Sequence, residues 1–353
     1  MVPLTVLFVL VNRGMRQLRV AAAYAEVARR MGLPVDTRGV SLQGHLNDQR
    51  IWIGEVMVGH GPDRRLVTWG VLDMDQALCL GLVIRRRGLS NRLFRRRGGP
   101  TIHVDDTVDK HLEIQGDDEE RVRALFTPDV VTKLSALMAG WPDVVVTDQS
   151  IRVHLPKPEA STDRLERLVE HMVALSDAIA TARQGVTPPE RLAAHLDGLS
   201  KLSKALRLDL DPALPALKGH ADGRRMSITP RRDGEGYRYN IRIYFEPSVD
   251  TGFRLSSQKA PDGYWSVGQD IQVNDPDFDT RFVVKGYDPF KVRAKLTPDV
   301  REQLLAMLSQ HDIEVDDRCL HIRRVPSDME ILERTATQAM RAAALLSPRL
   351  PSP

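Results

Sequence analysis

Apolar residues recur at helical spacing near the start of each half of the chain. The segment Leu18–Met31 is rich in alanine, and Leu192–Leu206 carries leucines along one face. Both patterns predict amphipathic helices. Before the first of them, Val2–Val11 is apolar but too short to cross a bilayer, which takes about 20 residues. We expect it to be a buried strand or the first turns of a helix, with a contact to a membrane or a partner as the alternative.

Alternation of apolar and polar residues predicts several short strands in each half. Arg50–Gly59 alternates in the first half, and Tyr237–Glu246 is aromatic and β-branched in the second. The segment Arg231–Gly234 has the composition of a hairpin turn before that second strand. Short strands joined by tight turns favour antiparallel sheets.

A threonine and a proline mark the start of a middle helix in each half. Thr127 and Thr297 are expected to be N-caps, with Pro128 and Pro298 in the first helical position. A hairpin and a last amphipathic helix follow. We place the hairpins at Val144–Leu155 and Ile313–Val325, and the last helices at Asp163–Ala182 and Asp328–Leu346.

The two halves also share residues at corresponding positions, which indicates an internal duplication. Gly116–Val130 and Gly286–Val300 agree at nine of fifteen positions without a gap. Further matches lie upstream and downstream of this block. The matched residues to which we assign structural roles are Gly44, His45, Arg50, Gly116, Arg123, Thr127 and Pro128, with Gly219, His220, Arg225, Gly286, Arg293, Thr297 and Pro298 in the second half.

The predicted fold class is therefore α+β, with two homologous tandem lobes. Each lobe has an antiparallel sheet with an N-terminal helix, a middle helix and a C-terminal helix. We assign residues 1–184 to the first lobe, 185–191 to a linker, 192–346 to the second lobe and 347–353 to a disordered tail.

The bulk composition is that of an ordinary globular protein. Of the 353 residues 42% are hydrophobic and 27% are charged, and the net charge is +3. So small a net charge argues against wholesale coating of nucleic acid. Cys79 and Cys319 lie among apolar residues, which favours buried thiols in a reducing compartment.

The basic charge is concentrated in one segment. Arg85–Arg97, which reads RRRGLSNRLFRRR, holds seven arginines and no acid, and the corresponding part of the second half has no such run. We treat it as an insertion in the first lobe that binds anions, with a solvated loop as the alternative. The candidate anion-binding residues are Arg85, Arg86, Arg87, Arg92, Arg95, Arg96 and Arg97.

Other polar residues give weaker signals. The Gly-His pairs at 44–45 and 219–220 are expected in turns, because no second histidine or cysteine recurs with them as a metal ligand. Aspartates at 105, 106 and 109, and at 275, 277 and 279, are expected to form turns. Arg123 and Arg293 are expected to pair with Asp118 and Asp288. We predict no metal site, no cofactor and no catalytic residue, since no nucleotide-binding, hydrolase or metalloprotease motif is present.

These features favour a non-enzymatic, two-lobed binding or scaffold protein in the cytoplasm. The partner expected for the arginine-rich segment is an anionic lipid surface, such as the inner face of a membrane, or an acidic protein. Two alternatives stay open. One is an enzyme or small-ligand-binding protein with a pocket between the lobes; the other is a nucleic-acid-binding protein, disfavoured by the few aromatic residues.

Overall fold

The computed structural model of the chain divides into two compact units, Met1–Val186 and Thr187–Pro353. The structure describes residues 4–33, 35–36, 40–47, 49–59, 64–74, 78–87, 100–234, 236–246, 249, 253–257, 269–286, 288–308 and 310–347; for 4–16, 35, 36 and 107 it describes the backbone only. Helices and two antiparallel sheets make up both units, which confirms the α+β class. The residues assigned to the tail after position 347 lie outside the described ranges.

The first unit begins with a long helix and continues as a sheet with four further helices in its described part. The helices are α1 (Leu4–Met31), α2 (Asp106–Asp109), α3 (Glu119–Leu125), α4 (Pro128–Gly140) and α5 (Thr162–Arg183). The strands are β1 (Val35–Asp36), β2 (Ser41–Leu46), β3 (Gln49–Val58), β4 (Arg65–Asp73), β5 (Val83–Arg86), β6 (Leu112–Gln115), β7 (Asp143–Thr147) and β8 (Ser150–Leu155).

The second unit has six helices and nine strands among its described residues. The helices are α6 (Glu190–Ala193), α7 (Leu196–Leu206), α8 (Pro276–Asp279), α9 (Pro289–Lys295), α10 (Pro298–Leu308) and α11 (Met329–Leu346). The strands are β9 (Asp209–Asp211), β10 (Ala216–Ala221), β11 (Arg224–Asp233), β12 (Gly236–Tyr244), β13 (Arg254–Ser257), β14 (Gln269–Asp270), β15 (Phe282–Gly286), β16 (Asp312–Val315) and β17 (Cys319–Pro326).

The strands of the two sheets are arranged in corresponding orders. The first runs β6-β5-β7-β8-β4-β3-β2-β1, and the second runs β15-β13-β16-β17-β12-β11-β10-β9 with β14 added beyond β15. Every described strand pair in both sheets is antiparallel. Antiparallel neighbours can be joined by short turns and need no helical crossover between them.

Each unit has a hydrophobic core of its own. In the first, Tyr24 of α1 and Leu168 of α5 are fully buried with Ile53 of β3. In the second, Leu332 of α11 is fully buried with Ile241 of β12. Burial alternates along β6 and much of β12, as the period of two in a strand requires, whereas β4 is buried at six consecutive positions.

Three predicted boundaries need correction. The helix predicted at Leu192–Leu206 is divided into α6 and α7, with a two-residue turn at positions 194 and 195. The first helix begins at Leu4 rather than near Leu18, because the apolar run before Leu18 continues the helix without a proline between Leu4 and Met31. The hairpin expected at Arg231–Gly234 turns later. Its strand runs to Asp233, and Gly234 takes the left-handed conformation with φ +62°.

Candidate functional site

The arginine-rich segment begins in β5, where its first arginine pairs with an acid. Arg85 lies opposite Glu113 in the ladder between β5 and β6. Its Nη2 donates to Oε1 of Glu113 at 2.6 Å, and its Nε donates to Oε2 at 3.0 Å. This two-point hydrogen bond lowers the pKa of the Glu113 carboxyl below its ordinary value. Arg85 therefore has a partner inside its own unit.

The next two arginines differ in their surroundings. Nη2 of Arg86 donates to the backbone carbonyl of Met138, in the last turn of α4, at 3.1 Å. A cation at that end of a helix is favourable, because the last carbonyls have no partner within the helix. The side chain of Arg87 is exposed, while its backbone N–H donates to the carbonyl of His111 at 2.9 Å. Of the three arginines of the segment that the structure describes, only Arg87 is exposed.

The other four candidate arginines, Arg92, Arg95, Arg96 and Arg97, lie outside the described residues. Anion binding by the segment stays a prediction. The partners of Arg85 and Arg86 were not indicated by the sequence, because Glu113 and Met138 are distant from them along the chain.

The Gly-His pairs lie in hairpins, each histidine facing its matched arginine. His45 of β2 is opposite Arg50 of β3, and His220 of β10 is opposite Arg225 of β11. Gly44 and Gly219 precede them in the same strands. The guanidinium of Arg225 stacks on the ring of Tyr244 at 3.9 Å from its centroid. The sequence placed these residues in turns, and the structure puts them on the strands beside the turns.

The matched glycines lie where a strand passes close to the following helix. A Cβ built on Gly116 would lie 2.7 Å from Cγ2 of Val122 in α3, and one on Gly286 would lie 2.8 Å from Cγ2 of Val292 in α9. Real Cβ atoms do not approach that closely, so only glycine fits without a shift of the helix.

The matched threonines cap the middle helices, as predicted. Oγ1 of Thr127 accepts from the N–H of Val130 at 3.4 Å, and Oγ1 of Thr297 accepts from that of Val300 at 3.5 Å. The proline after each threonine is the first residue of α4 or α10.

The matched arginines each bind a backbone carbonyl that lies before the strand preceding their helix. Nε of Arg123 donates to the carbonyl of His103 at 2.6 Å, and Nε of Arg293 donates to the carbonyl of Gln272 at 2.8 Å. A guanidinium so placed ties the short helix to the backbone before the preceding strand.

The expected ion pairs of these arginines with Asp118 and Asp288 are wrong. Both aspartates are N-caps whose side chains accept backbone N–H groups of α3 and α9. Arg123 pairs instead with Glu119 at 2.7 Å, one helical turn before it. A five-residue separation puts a cap and an arginine on different faces of a helix, whereas four residues bring them together.

The two aspartate clusters were expected in turns, and the structure instead places them at the start of and within the one-turn helices α2 and α8. Asp105 accepts from the N–H of Val108 at 2.9 Å, and Asp275 accepts from that of Phe278 at 3.2 Å. Cys79 and Cys319 are both buried, in agreement with their apolar neighbours in the sequence.

Sequence reasoning missed a basic cavity in the second unit. It has a volume of about 570 Å³, and its lining includes the arginines at 238, 281, 323 and 324 together with Ser257 and His311. These residues come from distant segments, and among them the only local signal was the Arg323-Arg324 pair. Burial lowers the pKa of His311, whose Nε2 lies 3.1 Å from Oγ1 of Thr335, so this imidazole is neutral near pH 7.

None of the described helices is both long enough and apolar enough to cross a bilayer.

Comparison with known proteins adds little to this picture. No protein-family description matches the chain, and no curated protein matches it. Among solved structures, the crystal structure of the mycobacterial trehalose monomycolate transport factor A is similar to it at a TM-score of 0.28 and 11% identity. The similarity covers 45% of this chain and 98% of that one. Similarity this low supports no conclusion about either fold or function.

Proposed function

We propose that this chain is a non-enzymatic binding protein of two homologous lobes, which docks on an anionic membrane surface through its arginine-rich segment. The observation that carries the docking proposal is the charge of that segment, seven arginines in thirteen residues without an acid. A compact cluster of this kind attracts anionic lipid, at about 1 kcal/mol for each basic residue near the surface.

The pairing of Arg85 and Arg86 within the fold sharpens the proposal. Both guanidinium groups have partners in the first unit, which leaves five arginines of the segment for docking, namely Arg87, Arg92, Arg95, Arg96 and Arg97. We propose that the first two anchor the segment to the sheet and that the other five meet the lipid. Leu89, Leu93 and Phe94 are interleaved with them in the sequence, which suits insertion among headgroups.

Homology of the two lobes is supported by agreement between sequence and geometry. Several residues matched in the sequence make corresponding contacts in each unit, among them the glycine against a helix valine and the arginine on a backbone carbonyl. The common strand order points the same way. We propose duplication of one ancestral unit, with the arginine-rich segment gained afterwards by the first copy.

The experiment is co-sedimentation of the full chain with anionic and with neutral liposomes at low and high salt. The chain is expected to bind anionic liposomes alone and to be released by salt, because screening shortens the reach of exposed charges. Replacing the five outer arginines by glutamine is expected to abolish binding, while replacing the same five by lysine keeps the charge and most of the binding. Undiminished binding by the glutamine variant would refute the proposal.

The same assay distinguishes the alternative partners. Duplex DNA that competes with the liposomes would indicate a nucleic-acid-binding protein, whose affinity also falls steeply with salt. Absence of binding to both would contradict docking on lipid and direct attention to an acidic protein as the partner.

Binding of a small ligand is the second candidate function. The arginine-lined cavity favours it, and this cavity lies within the second unit.

A further inference from the structure

The basic cavity of the second unit has the size of a small-molecule site. Its volume of about 570 Å³ falls within the range of roughly 300–1,000 Å³ that is usual for such sites. Its walls come from the end of α10, the segment that leads to β16, the strands β12, β13 and β17, and the turn between α8 and β15, which carries Arg281. Rigid elements therefore hold most of its side chains in place.

A β-bulge gives the cavity two of its arginines. In the ladder between β12 and β17, Tyr239 is opposite Val325 and Ile241 is opposite Ile322, so Arg323 and Arg324 together face the single residue between Tyr239 and Ile241. Arg324 is the extra residue of the bulge and adopts the left-handed conformation, with φ +58°. Consecutive strand residues normally point to opposite faces of a sheet, and a bulge breaks this alternation, which brings both arginines to one cavity.

The arginines of the cavity are only partly compensated by acids. Arg323 pairs with Glu314 at 2.5 Å, and Arg238 pairs with Asp233 at 2.7 Å. Arg324 has a longer ion pair with Asp312, whose Oδ2 is 3.9 Å from Nη1 and which also lines the cavity.

Arg281 is the least compensated of the four. Its backbone N–H donates to the carbonyl of Phe278 at 3.0 Å, but its side chain is exposed and has no hydrogen bond or ion pair with any residue that the structure describes. Together with Arg324 it gives the cavity positive charge that is available to a ligand.

Neutral polar groups accompany this charge. Ser257 and His311 line the cavity and are more than nine-tenths buried. Neither Ser257 Oγ nor His311 Nδ1 has a hydrogen-bond partner in the described part of the chain. Buried polar atoms in native proteins nearly always have a partner, so these two atoms suit a bound polar molecule.

The corresponding place in the first unit carries different side chains. By strand register Asp143 and His154 correspond to Asp312 and Arg323, and in the first unit the aspartate holds the histidine at 2.8 Å. Arg86 stands where the second unit has Ser257, and its guanidinium reaches the end of α4. In the second unit the smaller Ser257 lines the cavity at this position.

We propose that this cavity binds a phosphate group carried by a small polar molecule, with Arg281 and Arg324 as its main cationic partners. A phosphate monoester carries nearly two negative charges and three acceptor oxygens at pH 7, which suits several guanidinium groups around one cavity. A carboxylate, with two oxygens, is satisfied by a single guanidinium. This site is separate from the arginine-rich segment and does not depend on docking at a membrane.

The test is calorimetric titration of the full chain with inorganic phosphate and with glycerol 3-phosphate, up to about 10 mM, where millimolar affinity is still detected. Both are expected to bind, the ester more tightly because its hydroxyl groups meet the polar lining. Replacing Arg281→Gln or Arg324→Gly is expected to weaken binding at least about tenfold. Glycine suits the left-handed conformation of position 324, so this second variant keeps its fold.

Arg207→Gly is the matched control. Arg207 is an exposed arginine of the same unit with φ +55°, so its replacement makes the same change of charge and backbone outside the cavity. It is expected to leave phosphate binding unchanged. Absence of binding by the unaltered chain, or equal loss in the control and in both cavity variants, would overturn the proposal.

A further titration separates the possible sources of the phosphate. If vesicles that contain phosphatidic acid bind, and Arg324→Gly weakens this as much as it weakens glycerol 3-phosphate binding, the ligand is a lipid headgroup. If glycerol 3-phosphate binding alone depends on Arg324, the ligand is a free metabolite. Both results support a phosphate site. Tighter binding of citrate than of either phosphate compound would contradict it.

Discussion

The arginines of the predicted anion-binding segment divide by their immediate contacts. Arg85 and Arg86 have partners on β6 and α4, and Arg87 is exposed. The composition of the segment alone suggested that its seven arginines form one uniform cluster. The distinction depends on contacts with residues 28 and 52 positions away, and no local pattern reveals such contacts. The cavity arginines were missed for the same reason.

The ion pair of Arg85 makes a prediction about pH. Because hydrogen bonding to Arg85 lowers the pKa of Glu113 in the folded state, the pair stabilises the fold above the ordinary glutamate pKa of about 4.3. That contribution is lost as the pH falls through the lowered pKa. Arg85→Gln is therefore expected to reduce the free energy of unfolding on the order of 1 kcal/mol at pH 7, and by less as the medium becomes acidic.

Urea unfolding of both proteins over a series of pH values measures this difference. The control is the same substitution in a Glu113→Gln background, where no carboxylate is left to titrate and the effect of Arg85→Gln should be independent of pH. A difference that grows on acidification would show that Arg85 acts through another contact.

At the scale of the elements, local signals were the most reliable. The caps at Thr127 and Thr297 and the prolines that follow them were read correctly, because capping depends on residues within one turn. The start of α1 was left open, because the apolar run Val2–Val11 fitted a strand as well as the first turns of a helix, and the turn after β11 was placed too early. The glycines after β6 and at the end of β15 could be matched in the sequence. Why glycine is needed at these positions appears only from the close contact with the next helix.

That contact predicts the effect of adding one methyl group. Gly116→Ala and Gly286→Ala should each force α3 or α9 away from the strand before it, since the new Cβ would meet a valine within 2.8 Å. Overpacking of this kind costs about 1–3 kcal/mol. Thermal or urea unfolding measures the loss.

Gly140→Ala is the control for these two variants. No atom lies within 4 Å of a Cβ at this position in the last turn of α4, so alanine is expected to be neutral or slightly stabilising there. If all three substitutions have the same effect, the close approach of strand and helix does not explain the two matched glycines.

For the whole molecule, the sequence predicted the class of fold from repeated residues and alternating patterns. The order of the strands was beyond it, because pairing such as that of β4 with β8 joins segments far apart in the chain. The cavity was also beyond it, since a bulge of one residue in β17 decides where two arginines point.

Two separate cores predict that each unit folds by itself. No residue of the first core cluster lies beyond Val186, and none of the second lies before Leu199. Each unit has more than 160 residues, enough to bury a core of its own. Fragments 1–186 and 187–353 are therefore each expected to be soluble, with the circular dichroism of mixed helix and strand and a cooperative thermal transition. The fragment 187–353 should also keep the phosphate affinity of the full chain, since the lining of its cavity lies wholly within it. A fragment without a cooperative transition would mean that its core depends on the other unit.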